Sequence, residues 1–119
     1  MNGNAGTMNL ITVEKHRSKY PDPVRFEKKE RLAIAQRDSD YEGWVWVKTS
    51  DGRQGWAPEQ YLDVVDTGRA IAKRDYSARE LNTQVGEALI LHYEVNDWGW
   101  VEKQDGSSGW VPMNTTGVV

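Results

Sequence analysis

The stretch Gly43–Leu62, GWVWVKTSDGRQGWAPEQYL, is matched 54 residues later by Asp97–Thr116, DWGWVEKQDGSSGWVPMNTT. All six tryptophans of the 119-residue chain lie in these two stretches, three in each and in the same order. Upstream, Glu27–Ile34 matches Gln84–Leu91 at an offset of 57, so the second copy is three residues shorter before its first tryptophan. Self-similarity at a fixed spacing indicates two copies of one small structural unit.

The repeat divides the chain into a tail and two copies, each near the lower size limit for a domain that folds alone. We expect residues 1–9 to be a disordered tail, residues 10–63 to form the first copy and residues 69–119 the second. The connector between the copies, residues 63–68, is short and contains two valines. We therefore expect the two copies to pack against each other.

Apolar residues alternate in short runs, which is the period of a β-strand, and no window of 11 residues has a convincing helical period. In Trp44–Val47 and Trp98–Val101 this alternation places the tryptophans on one face, and it predicts that Val47 and Val101 lie in the core. Further strands are predicted at Leu10–Val13, Arg31–Ile34, Gly68–Ala72 and Ala88–Leu91.

Turn residues separate these runs. Asp51-Gly52 and Asp105-Gly106 each lie between two apolar runs and predict tight hairpins. Pro58–Leu62 begins with proline and predicts a single 3₁₀ turn. Five short strands, a tight hairpin and a late turn in so short a copy predict an all-β unit, either a small barrel or two orthogonal sheets.

Composition excludes several classes of function. The net charge of −3 gives no broad basic field, so we expect no binding of nucleic acid. No apolar run approaches the length of a membrane span, and the first residues lack the pattern of a signal peptide, so we expect a cytoplasmic protein without membrane contact. The chain has no cysteine, phosphate loop, catalytic triad or metal-spaced histidine pair, so we expect no enzyme activity, cofactor or metal.

Four motifs resemble the Src-homology-3 (SH3) family, in particular the bacterial variant SH3 proteins. They are a diverging turn (Lys29-Glu30, Gly86-Glu87), a tryptophan that opens the third strand (Trp44, Trp98), the Asp-Gly hairpin and a closing Gly-aromatic-x-Pro-x-x-Tyr. The closing motif is complete in Gly55–Tyr61 but ends in threonine in Gly109–Thr115. The resemblance implies two tandem, five-stranded SH3-like barrels, each with a shallow aromatic groove that binds extended, often proline-rich peptides.

The resemblance places the peptide-binding groove mainly on the first copy. Three residues there match groove positions of the family and five lie at its edge: Trp44, Pro58 and Tyr61, then His16, Tyr20, Asp22, Glu42 and Trp56. His16 falls where the family's opening motif has its second tyrosine, and Tyr20 is a candidate replacement ring. The carboxylates of Asp22 and Glu42 would suit a basic residue in the ligand.

The second copy retains a different part of the groove. Its matching residues are Tyr76, Trp98, Trp110, Pro112 and Asn114. Arg74 and Thr115 lie where the family has aromatic rings. Trp46 and Trp100 share a face with the groove tryptophans, and we expect them to serve in packing, including contact between the copies.

Two alternatives to peptide binding remain open at this point. Aromatic grooves also suit glycans, so the chain could bind bacterial cell wall (peptidoglycan). Alternatively, the two barrels could pack through their tryptophan faces, which would occlude the grooves and leave a structural role. The sequence leaves the identity of the ligand and the oligomeric state undetermined.

Overall fold

The computed structural model of the chain describes residues 6–37 and 42–119. These residues form strands and 3₁₀ turns, and no helix among them is long and apolar enough to span a membrane. The strands are β1 (Met8–Thr12), β2 (Arg25–Phe26), β3 (Arg31–Arg37), β4 (Trp44–Lys48), β5 (Gln54–Pro58), β6 (Leu62–Asp66), β7 (Arg69–Ala72), β8 (Tyr76–Ser77), β9 (Ala88–Val95), β10 (Trp98–Lys103), β11 (Ser108–Pro112) and β12 (Thr116–Val118). The 3₁₀ turns are η1 (Glu59–Tyr61) and η2 (Met113–Thr115).

The chain forms two compact, β-rich units. The terminal unit combines Met1–Lys19 with Glu80–Val119, and the central unit is the continuous stretch Tyr20–Arg79. The terminal unit contains a five-stranded sheet in the order β11-β10-β9-β1-β12, and the central unit contains one in the order β5-β4-β3-β7-β6. The central unit also contains the two-stranded pair β2–β8. Both five-stranded sheets are open in their hydrogen-bonded order, in place of the closed barrels that we expected.

The units differ from the two contiguous copies expected at residues 10–63 and 69–119. The first strand, β1, pairs with β9 and β12, so that Leu10 lies opposite both Leu89 and Val118. The corresponding strand of the second copy, β7, pairs with β3 and β6 instead. The first strand of each copy therefore completes the sheet of the other copy. Leu10 and Ala70 are both almost fully buried, so either strand offers a core residue and the alternating pattern does not specify its sheet.

Two smaller expectations change with this topology. The expected tail at residues 1–9 is shortened, because Met8 and Asn9 belong to β1, while residues 1–5 lie outside the described residues. The expected connector at residues 63–68 lies in the hairpin β6–β7, within the central unit. The chain passes from the terminal to the central unit at residues 19–20 and returns at residues 79–80.

Each unit has a core of alternating inward-facing side chains. In the terminal unit the buried cluster consists of Leu10, Leu81, Leu89, Leu91, Val101 and Val111. In the central unit the buried residues include Val24, Phe26, Leu32, Val45, Val47, Ala57 and Leu62. The prediction that Val47 and Val101 are core residues is confirmed, since both are fully buried.

The predicted hairpins and 3₁₀ turn are also confirmed. β4 pairs with β5 and β10 pairs with β11, both antiparallel. Gly52 and Gly106 adopt φ values of 92° and 89°, which are strained for any residue with a side chain. The η1 turn begins directly after Pro58. These turns fix the register that aligns the tryptophans across the strands.

Candidate peptide-binding site

The outer face of hairpin β4–β5 carries three cross-strand pairs. The register pairs Trp44 with Pro58, Trp46 with Trp56, and Lys48 with Gln54. These six side chains lie on one face because Val45 and Val47, the intervening residues of β4, point into the core. The rings of Trp46 and Trp56 meet edge to face, with their centroids 5.1 Å apart, and both are only half-buried. The face thus runs from a buried end at Trp44 to an exposed end at Lys48.

Tyr20 adds a third ring to this face from the loop before β2. Its side chain is 42% exposed, and its ring centroid lies 6.3 Å from that of Trp46. Two residues further on, the exposed carboxylate of Asp22 lies 3.7 Å from Nε of Arg53. Such an exposed ion pair contributes little to stability, so the carboxylate can exchange Arg53 for another cation.

A second cluster of rings in the central unit is nearly inaccessible. Tyr76 packs edge to face on Tyr61 at 5.7 Å and lies 5.3 Å from Phe26. The guanidinium carbon of Arg74 lies 4.5 Å above the centroid of the Tyr61 ring, a cation–π contact. Trp44, Tyr61 and Tyr76 are only 7%, 7% and 8% exposed. These rings therefore support the site and offer little surface to a ligand.

The strand exchange redistributes the expected groove residues between the units. Tyr76, expected in the groove of the second copy, packs on Tyr61 of the first. His16, expected in the groove of the first copy, lies in the terminal unit, 5.6 Å from the ring of Trp98 and edge-on to it. The Nε2 atom of His16 also lies 2.7 Å from Oε1 of Glu80.

The terminal unit therefore has a different set of residues at the matching positions. Trp98 pairs with Pro112. Trp110 is buried, and its backbone forms an isolated β-bridge with Glu80. Thr115 replaces the closing tyrosine, and its buried hydroxyl donates a hydrogen bond to the carbonyl oxygen of Pro112 over 2.7 Å. Two remaining candidates are exposed, Asn114 on η2 and, in the central unit, Glu42 in the turn before β4.

Sequence reasoning missed two members of the central site, Arg74 as a partner of Tyr61 and Trp46 as an accessible ring. The signal for the first was available in the repeat. Ala72–Tyr76 retains the opening motif, whereas only Gly55–Tyr61 retains the complete closing motif. A full set of groove residues is thus present only when segments of both copies are combined.

Three exposed aspartates remain ionised well into the acid range. The hydroxyl of Thr49 and the backbone N–H of Arg53 lower the pKa of Asp51. The hydroxyl and backbone N–H of Ser107 lower the pKa of Asp105 in the same way, and Arg69 lowers the pKa of Asp66. Within residues 6–37 and 42–119, no three acidic or histidine side chains come together as a metal site would require.

Comparison with known proteins relates part of the chain to one family. Residues 10–65 match the model of the variant SH3 domain family. This match supports a variant SH3 domain at residues 10–65. SH3 domains commonly mediate protein–protein interaction and are generally non-catalytic. The matched range of the SH3 domain includes β1, which in this structure joins the terminal unit, and ends before β7.

Two curated proteins are also similar to the chain. They are the SLIT-ROBO Rho GTPase-activating protein 1 of mouse (Mus musculus) and that of human (Homo sapiens), each 33% identical over 78 residues. The alignment covers 63% of this chain but 7% of either relative, so the activity in their name is not carried over. No solved structure matches this chain significantly.

Proposed function

We propose that the chain is a non-catalytic binding module that holds an extended peptide with a basic flank on the central unit. The observation that carries this proposal is the accessible aromatic surface of Tyr20, Trp46 and Trp56, with the carboxylate of Asp22 beside it. Flat rings form slots for the ridges of a polyproline II helix, which is ordered before it binds and so loses little entropy. The carboxylate would pair with an arginine or lysine of the peptide.

The burial of the deeper residues assigns them a supporting role in this proposal. The buried residues of the site are Trp44, Pro58 and Tyr61, because the side chains around them leave little of their surface exposed. The guanidinium of Arg74 packs over the face of the Tyr61 ring and helps to hold it in place. Replacing Trp44 would therefore test packing more than ligand contact, since truncating a buried tryptophan costs about 3–5 kcal/mol.

The terminal unit is the weaker candidate for the same kind of ligand. Its set of His16, Trp98, Trp110, Pro112 and Asn114 lacks a ring at Thr115. Glu80 already pairs with His16 at 2.7 Å, so that carboxylate is less available to a ligand than Asp22. We place the primary site on the central unit for these two reasons.

A structural role is the second candidate, and one observation favours it. Trp44, Tyr61 and Tyr76, the rings that would line an open SH3 groove, are all less than 9% exposed. In that case the rings would stabilise the fold and the chain would bind no peptide. The two candidates differ in a measurable response to a peptide.

A chemical-shift titration of the full chain tests the proposal by reading the six indole N–H signals. The probe is a proline-rich peptide of about ten residues with a terminal arginine, and a second peptide has alanine in place of that arginine. The indole signals of Trp46 and Trp56 should shift with the first peptide. The Asp22→Asn and Tyr20→Ala variants should each weaken this binding by about threefold or more, the effect of one exposed charged or ring contact.

Controls separate the possible outcomes of this titration. The Val85→Ala variant changes an exposed residue of the terminal unit that belongs to no aromatic cluster, and it should bind the peptide like the unchanged chain. If no indole signal shifts with either peptide, the structural role is favoured. If purified peptidoglycan shifts Trp46 and Trp56 while the peptides do not, the cell-wall alternative replaces the proposal.

A further inference from the structure

Tyr93 and Trp100 form a pair of nearly parallel aromatic rings on the outer face of the terminal unit. They lie directly opposite each other on β9 and β10, with ring planes 13° apart and centroids separated by 6.4 Å. Trp110 supports this pair edge-on, with its ring centroid 5.3 Å from Trp100 and 5.7 Å from Tyr93. Tyr93 is 40% exposed and Trp100 is half-buried, whereas Trp110 is buried.

This surface is a property of the terminal unit and is not shared by the repeat. At the matching register of the central unit, Gln36 lies opposite Trp46, and the third ring is Tyr20, which comes from a loop. Both rings of the terminal surface are instead fixed on neighbouring strands. A site on strands is held more precisely than one on a loop.

The charge around the two rings is strongly negative. Residues 80–119 contain six carboxylates and one lysine, a net charge of −5. Glu102 lies two residues from Trp100 on β10 and therefore on the same face, with its Oε1 3.0 Å from Nε2 of His92. Glu94 is exposed, but it lies opposite Gly99 and therefore on the other face of the sheet from Tyr93. The one lysine, Lys103, is already paired with Glu87 at 3.1 Å.

The other basic residues of the terminal unit lie on a different segment. Lys15, Arg17 and Lys19 follow β1, where His16 bridges to Thr83. The guanidinium of Arg17 donates hydrogen bonds to the carbonyl oxygens of His16 and Thr83, which holds it at that bridge. The hairpin that carries the two rings thus retains its negative charge.

We propose that Tyr93 and Trp100 form a second interaction surface, which binds an arginine side chain of an extended partner peptide. A planar guanidinium can stack on flat rings, because the ring faces are electron-rich, and can pair with a nearby carboxylate at the same time. Glu102, whose side chain is 37% exposed, supplies that carboxylate. This surface is separate from the site proposed on the central unit and shares no residue with it.

A titration with a matched pair of peptides tests this surface on the full chain. The first peptide is the heptapeptide Gly-Arg-Gly-Arg-Gly-Arg-Gly, and in the second each arginine is replaced by citrulline, a neutral side chain of similar shape. The indole N–H signal of Trp100 should shift with the arginine peptide. Tyr93→Ala should weaken the binding reported by Trp100 about three- to fivefold, the effect of one exposed cation–π contact.

Two further variants keep the result decisive. Glu102→Gln removes the exposed carboxylate on the face of Trp100, should leave the fold intact and should weaken the same binding about twofold at low salt. Tyr20→Ala, in the central unit, should leave the response of Trp100 unchanged. The proposal is overturned if the citrulline peptide binds equally well. It is also overturned if both Tyr93→Ala, with its fold verified by circular dichroism, and Glu102→Gln bind like the unchanged chain.

Discussion

The hydroxyl of Tyr76 donates a hydrogen bond to the backbone carbonyl oxygen of Trp56 over 2.9 Å. Trp56 lies on β5, the edge strand of the central sheet, and Tyr76 lies on the short strand β8. The bond joins β8 to β5, the strand that carries Trp56 of the central aromatic site. The conformation of that site therefore depends on a residue 20 positions away in the sequence.

Replacing Tyr76 by phenylalanine should lower the free energy of unfolding by about 1 kcal/mol, the net value of one buried hydrogen bond. Tyr76→Leu should cost more, because it also removes the ring contacts with Tyr61 and Phe26. Chemical denaturation monitored by tryptophan fluorescence measures both changes. Equal stabilities of the two variants would show that the ring contacts contribute nothing beyond the hydrogen bond.

The exchange of β1 and β7 can be tested with engineered disulfides, because the chain has no cysteine of its own. Arg31 lies opposite Ile71 in the central sheet, and Ile11 occupies the corresponding position in the terminal sheet, opposite Ala88. The double variant Arg31→Cys/Ile71→Cys should form an intramolecular disulfide under mild oxidation, since residues directly opposite each other have the required spacing.

The matched control is Arg31→Cys/Ile11→Cys, which joins the two positions that would be opposite in a contiguous first copy. This pair should remain reduced, as measured by mass spectrometry after alkylation of free thiols. Closure of the control disulfide in preference to the first would contradict the exchanged topology.

Gly99 leaves room for two side chains of the terminal core. A Cβ atom at this position would lie 2.6 Å from Sδ of Met113 and 2.8 Å from Cδ1 of Leu91. Gly99→Ala should therefore cost about 1–3 kcal/mol by overpacking. Combining it with Met113→Ala should recover part of that loss, giving a coupling of at least about 0.5 kcal/mol in a double-mutant cycle. Strictly additive costs would indicate that the clash is relieved elsewhere.

The repeat supplies an internal comparison for this prediction. The first copy has Val45 in place of Gly99 and Glu59 in place of Met113, and Val45 is almost fully buried. A larger residue on the strand is thus accompanied by a polar residue on the 3₁₀ turn. The two copies therefore differ at both positions.

The two hairpin aspartates should make stability fall at acid pH. Hydrogen bonds from Thr49 and Ser107 lower the pKa values of Asp51 and Asp105 in the folded chain below those of the unfolded chain. Their stabilising contribution is therefore complete above the ordinary aspartate pKa and is lost as the pH falls through the lower folded value, in a window below roughly pH 4.

Substitution of Asp105 by alanine should remove its part of this dependence. The difference in free energy of unfolding between the unchanged chain and Asp105→Ala should be constant near neutral pH and should shrink below roughly pH 4. Urea denaturation at a series of pH values measures this difference. A difference that stays constant down to pH 2 would contradict the assigned hydrogen bonds.

Local structure was largely predictable because each element depends on neighbouring residues. The alternation in Trp44–Val47 specified a strand with a buried face, and Asp51-Gly52 specified a hairpin. The partner of β1 was not predictable in this way. Leu10–Thr12 and Ala70–Ala72 have the same alternation, and both lie about 20 residues before a candidate partner strand. Packing over the whole chain decides which sheet each of these strands joins, and no short sequence pattern indicates the outcome.

The candidate site was predictable in composition but not in assembly. Trp56, Tyr61 and Tyr76 were all expected to be groove residues, yet Tyr76 was assigned to a different groove from the other two. Their degree of exposure also could not be inferred, because burial depends on neighbours contributed by distant segments. Tyr93 carries no family motif, and it became prominent only once β9 placed it opposite Trp100.

The continuous course of the central unit makes it an insertion within the terminal unit. On either side of it, the backbone N–H of Ser18 donates a hydrogen bond to Oδ1 of Asn82 over 2.8 Å, so the two flanking segments are already adjacent. Replacing residues 20–79 by a short glycine bridge would keep all five strands of the terminal sheet in one chain. A cut at residues 63–68 would instead open the hairpin β6–β7 and release no complete sheet. The segment duplicated in the sequence and the segment that forms a compact continuous unit are therefore different pieces of this polypeptide.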